Sequence, residues 1–176
     1  MSNYDWADSF RQCYEKAVGM YRLGNRQAST YFNAEEAEFL ASIGHTAQEV
    51  YDFAEDWCGG EAPSFATALL IAAARRDFFL TIQKGQPSNR TISMNDLPAK
   101  DAEVAGFRWL PRIIAKARAK LRGEMPADLM YGCGGDLAFL RSVNIHPADL
   151  LRVVWAARDD DQKIIEYVKQ HAALPH

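Results

Sequence analysis

Along most of the chain, apolar residues recur every three or four positions, the spacing that gathers them on one side of an α-helix. Trp6, Phe10, Cys13, Ala17 and Met20 share such a face, and Gly24 follows as a stop. After the polar loop GNRQASTYFN, Asn33 is placed to cap a short helix. Glu35 and Glu36 lie in its first turn, where carboxylates meet the positive end of the helix dipole. Gly44 ends it. Thr46 opens a third helix, with Glu49 three residues on as its capping-box partner, and CGGEAP breaks that helix after Trp57.

Ser64 then caps the most hydrophobic segment, SFATALLIAAARRDFFLTIQK. It is apolar around most of its circumference, so a central helix is expected there with Leu69, Leu70, Ala73 and Phe78 inaccessible. The period lapses over QPSNRTISMNDLPAKDAEVAG, which reads as a connection. It resumes with Pro111 in the first turn of a helix that runs to Leu121 and stops at Gly123. After YGCGG, a short helix begins at Asp136 and closes at Asn144; Pro147 opens the next, and Asp161 precedes the last. No stretch alternates as a strand would. The expectation is an all-α fold of about eight helices in one compact domain over residues 1–176.

Two stretches read as copies of one unit: YFNAEEAEFLASIGHTAQEVYDFA from Tyr31 and YGCGGDLAFLRSVNIHPADLLRVV from Tyr131. At one constant offset and without a gap, Phe39 and Leu40 meet Phe139 and Leu140, Ser42 meets Ser142, and Glu36 and Glu49 meet Asp136 and Asp149. The domain is therefore expected to hold a half-repeat over 1–85, a connection over 86–105 and a half-repeat over 106–176.

Composition narrows the setting. Apolar content of 48% suits a packed soluble domain. The net charge of −3 singles out no partner class. Three widely separated cysteines match no zinc or disulfide framework, which favours the reducing cytoplasm. MSNYDWADSF is acidic and aromatic, unlike a signal peptide, and the longest apolar run falls short of the roughly 20 residues a bilayer span needs.

The second half carries Gly106-Phe107, Leu110-Pro111-Arg112, Lys116-Ala117-Arg118, Tyr131-Gly132-Cys133, Asp136, Phe139-Leu140 and Asp159-Asp160. In these residues and their spacing it resembles DUF5069, a family of bacterial proteins with no assigned activity. The resemblance covers residues 100–170 and implies no catalytic role. The first half has Asn33 where the second has Cys133.

Cys133 is the most reactive side chain in prospect. Its glycine-rich loop exposes amide protons, and the following helix points its positive end at the thiol, an arrangement that favours a nucleophile. The alternative is a small apolar plug between loop and core. Tyr31 and Tyr131 either present two hydroxyls to a polar ligand or pack their rings and bond loop carbonyls. Arg75 and Arg76 interrupt the most apolar helix. One of them is expected to be buried and tied to a carboxylate (Glu55, Asp56 or Asp77) or to an anionic ligand, because an uncompensated charge costs several kcal/mol to bury. Arg108, Arg112, Lys116 and Lys120 form a basic stripe, read as the solvated side of a helix whose other side is core. Nucleic acid is not the expected partner, since no aromatics interleave with that stripe. His45 and His146 lie in turns before helices and match no metal-ligand spacing, so no metal and no cofactor is expected.

The leading functional expectation is a non-enzymatic module. It binds a small anionic molecule or a protein partner in a cleft between the halves, using Arg75, Arg76, Tyr31, Tyr131 and Arg112. A homo-oligomer is compatible with this, and a membrane is not. The alternative is a small enzyme that joins Tyr131, Cys133 and His146 to a core arginine.

Overall fold

The computed structural model describes residues 4–60 and 62–173. It divides into two compact units, residues 1–87 and 88–176. The first holds α1 (Trp6–Arg22), α2 (Ala34–Ser42), α3 (Ala47–Gly60) and α4 (Phe65–Thr81). The second holds α5 (Leu110–Arg122), α6 (Gly134–Ser142), α7 (Pro147–Ala157) and α8 (Asp161–Ala172). The all-α expectation holds, and several boundaries follow the residues that predict them, although α3 runs past the break expected after Trp57 and α6 starts at Gly134 rather than Asp136. Asn33 accepts from the Glu36 amide at 2.9 Å while the Glu36 carboxylate takes the Asn33 amide at 2.8 Å, closing a capping box. Thr46 and Glu49 close another at 3.0 and 3.2 Å. Gly123 ends α5 in the left-handed conformation at φ 68°.

In the first unit α1 packs on α3 and α4, and Phe10, Ala17, Val50, Phe53 and Ile71 are sealed from solvent. In the second, α5 packs on α7 and α7 on α8, around Leu110, Ile113, Leu150, Leu151 and Ile164. Some element ends fall at matching numbers in the two units: α1 and α5 end at 22 and 122, and α3 and α7 begin at 47 and 147. α2 and α6 both span nine residues, from 34 to 42 and from 134 to 142. Gly44 and Asn144 both take positive φ, 75° and 54°, directly after them. The amides of His45 and Ile145 then return to the carbonyls of Leu40 and Leu140, at 2.8 and 2.9 Å.

Three expectations need correction. First, the buried residues of α4 are Ala68, Ile71, Ala72, Ala74, Arg75 and Phe79, whereas Leu69, Ala73 and Phe78 are half-buried and Leu70 is 42% exposed. A helix apolar on every side has no polar face to orient it, so periodicity gave no means of choosing. Second, a short antiparallel ladder exists: β1 (Glu103–Val104) pairs with β2 (Phe107–Arg108). Ala105 and Gly106 turn it with φ of 54° and 85°, both positive as a tight hairpin demands. Third, the basic stripe is not solvated beyond Arg108, which is exposed in β2. Arg112, Lys116 and Lys120 are all buried. Residues 88–109 fold back over that side of α5, with the Ile92 amide on the Glu124 carbonyl (2.9 Å) and Arg112 Nη1 on the Pro98 carbonyl (2.7 Å).

Candidate functional site

Two buried polar clusters, one in each unit, take in Cys133 and Arg75 among the residues singled out from the sequence. In the second unit the centre is Asp136, fully buried in the first turn of α6. Its Oδ2 accepts from Lys116 Nζ at 2.5 Å and from the Gly132 amide at 2.9 Å, and its Oδ1 accepts from the Trp109 indole N–H at 2.9 Å. Three donors, one of them a cation, offset what this carboxylate loses by leaving water. Cys133 is the N-cap of α6 but makes no capping bond; its half-buried Sγ lies 3.3 Å from Lys116 Nζ. Gly132 joins Tyr131 to Cys133 at φ 90°, which glycine adopts without strain. Gly135 is required for a different reason: a Cβ there would stand 2.7 Å from the Trp109 ring.

Tyr131 lies beneath this loop, 1% exposed, and its hydroxyl donates to the Pro147 carbonyl at 2.7 Å. Burial pushes that hydroxyl well above its ordinary pKa. Tyr31 matches it in the first unit, 1% exposed with its hydroxyl on the Asn25 carbonyl at 2.7 Å. Each ring packs in its own unit and fastens its own loop. His146 caps α7, with Nδ1 accepting from the Ala148 amide at 3.2 Å, and it makes no hydrogen bond with Cys133. Arg112 lies under residues 88–109, its guanidinium also 5.9 Å from the Trp109 ring centroid.

The cluster in the first unit surrounds Arg75, which is 2% exposed. Its Nη1 donates to the side-chain oxygen of Gln83 at 2.8 Å, its guanidinium lies 5.2 Å from the centre of the Phe79 ring, and its Nε has no acceptor. No carboxylate among the described residues lies within ion-pair distance of it. Desolvation lowers its pKa, and the charge of Glu49 partly restores it. The expected carboxylate tie is therefore absent at Arg75, and Gln83, just past the end of α4, stands in its place. Glu49 also lies 3.4 Å from Nδ1 of the buried His45. Arg76 is less buried, with its guanidinium 5.0 Å from the Trp6 ring centroid and 3.4 Å from Asp77.

Residues 96–176 match the model of DUF5069, a domain of unknown function. No curated protein and no solved structure matches the chain. The resemblance read from Leu110-Pro111-Arg112, Lys116 and Tyr131-Gly132-Cys133 lies within the matched residues, and of these Lys116 and Gly132 bond Asp136 while Cys133 touches Lys116. Among the described residues no group of histidines, cysteines and carboxylates is arranged to hold a metal, and no helix is long and apolar enough to cross a membrane.

Lys116, Trp109 and the anchoring role of Asp136 escaped the sequence reading. Lys116 was hidden in the basic stripe, and Asp136 looked like an ordinary first-turn carboxylate. One signal was available. Lys16 and Glu36 stand at the same offset from Lys116 and Asp136 as Tyr31 does from Tyr131, and they also pair, at 2.6 Å. Nothing in the sequence marks Trp109, whose backbone adopts φ 75°, a strained value for a tryptophan.

Proposed function

We propose that the protein binds a small anionic molecule through Arg75 of its first unit. The observation that carries this reading is a guanidinium 2% exposed whose hydrogen-bonded acceptor is a neutral amide and whose Nε has none. A guanidinium stays charged in proteins, and stripping its water without a counter-charge costs several kcal/mol. Gln83 is half-buried, one residue beyond the helix C-cap, between the exposed Ile82 and Lys84. An anion that displaced its side chain would accept from Nη1 and bring the counter-charge that the neutral amide does not supply.

The test is thermal unfolding of the full chain with phosphate, sulfate and a series of mono- and dicarboxylates. A ligand at 100 times its Kd stabilises by about 2.7 kcal/mol, which raises the melting temperature. The rise should vanish in Arg75→Met, and that variant without ligand should melt no lower than the wild type. A strongly destabilised Arg75→Met beside a wild type indifferent to every anion would overturn the reading.

A second reading, a small thiol enzyme, is favoured by the 3.3 Å contact of Lys116 Nζ with Cys133 Sγ at the start of α6. Cys133 should then alkylate with iodoacetamide far faster than Cys13, which is buried and whose thiol is pushed up to about 11. Equal rates would remove it.

A further inference from the structure

We infer that Cys133 and Lys116 form a site of oxidative modification, at which a hydroperoxide drives closure of a covalent sulfur–nitrogen cross-link between α5 and the start of α6. The inference is independent of Arg75. Two partners of unlike accessibility meet here. Cys133 is half-buried beside the exposed Gly134 and Gly135, where a Cβ on Gly134 would meet nothing within 4 Å. Lys116 is 2% exposed, and its Nζ is held 3.3 Å from the sulfur by its ion pair with Asp136. A small oxidant therefore reaches the sulfur first, and the nitrogen is already in contact with it.

The chemistry balances in two steps. The Cys133 thiol attacks the terminal oxygen of the hydroperoxide; the O–O bond breaks, the sulfur is oxidised to a sulfenic acid, and the peroxide is reduced to an alcohol or, for hydrogen peroxide, to water. Lys116 Nζ, after giving a proton to Asp136 Oδ2, attacks the sulfenic sulfur. The S–O bond breaks and the hydroxyl leaves as water with the proton held by Asp136; the nitrogen's second proton then passes to the freed carboxylate and on to solvent, and the neutral S–N–H link remains. The product is two hydrogens lighter than the reduced protein, and a thiol reductant returns both side chains. Closure also removes the cation that partners Asp136, leaving that carboxylate with the Gly132 and Trp109 donors alone. The modification thereby changes the electrostatics of the loop that holds it.

The experiment exposes the full chain to hydrogen peroxide, quenches it, digests it with trypsin and maps the peptides by mass, with and without dithiothreitol. The expected result is a species joining residues 116 and 133, two hydrogens lighter than the sum of its parts, with cleavage after Lys116 lost and dithiothreitol restoring both. Cys13, buried with its raised thiol pKa, should remain unmodified under the same exposure. Cys133→Ser should abolish the cross-link while keeping the Lys116–Asp136 pair and the fold. Oxidation of Cys133 to the sulfinic acid with normal cleavage after Lys116, or a Cys133 no more reactive than Cys13, would overturn the inference.

Discussion

The two units fasten a tyrosine-led loop to the start of a nine-residue helix by the same four positions, and they do it with different physics. In the first, Lys16 and Glu36 pair at 2.6 Å with side chains 37% and 28% exposed, and Asn33 closes a capping box. The pair holds the Glu36 carboxyl below its ordinary range, chiefly through the Lys16 hydrogen bond. In the second, Lys116 and Asp136 pair at 2% and 0% exposure, the cap position is a cysteine that caps nothing, and Trp109 closes over Gly135. Water screens the first device and leaves most of its loop held by ordinary backbone bonds. The second is held against a large desolvation cost, so its members depend on one another. A fastening that fails gradually thus stands at the same positions as one that fails all at once.

The sharpest way to break this comparison is to remove each carboxylate. Asp136→Ala leaves a buried ammonium unmatched and should cost about 3–5 kcal/mol in chemical denaturation, whereas Glu36→Ala, at a partly exposed pair, should cost about 1 kcal/mol or less. Similar losses would mean that burial makes no difference here. A smaller effect is expected one residue earlier. Gly135→Ala drives a methyl to 2.7 Å from the Trp109 ring and should cost about 1–3 kcal/mol, while the exposed Glu35 should accept alanine within about 0.5 kcal/mol. If Trp109→Ala does not relieve the Gly135→Ala penalty in a double-mutant cycle, the ring is not its cause.

The smallest effect is in pH. Because the folded Glu36 pKa lies below its ordinary 4.5, the pair contributes stability that is fully present above that value. It is lost as the pH falls through the lower folded pKa. Titrating wild type and Glu36→Gln through that acid window should show the two curves converging at the low end. Curves that stay parallel would mean the ionised Glu36 contributes nothing.

Much of the architecture was legible because helix ends carry local chemistry. Asn33 with Glu36, Thr46 with Glu49, and Gly123 each do at the terminus what their side chains or lack of one dictate. Faces were harder to read. Arg112, Lys116 and Lys120 recur with the spacing of a solvated side, and only the return of residues 88–109 over α5, a non-local event, turns that side inward. α4 failed for the opposite reason. With apolar residues on all sides, Leu70 and Ile71 read alike, yet one is 42% exposed and the other is sealed. The bland alternative for the tyrosines was visible in advance, since a buried phenol needs an acceptor and a loop offers carbonyls. The sequence could point to Cys133 but not to Lys116 beside it, because the contact spans seventeen residues and depends on how the loop closes.

The burial of cations has a colloidal consequence. Arg75, Arg112, Lys116 and Lys120 are withdrawn from the surface, against only Glu124 and Asp136 among the carboxylates of the described residues. The face presented to solvent is therefore more anionic than the formal charge of −3 implies. Like molecules repel one another at low ionic strength, and polyanions are turned away from the outer surface before they reach any binding group.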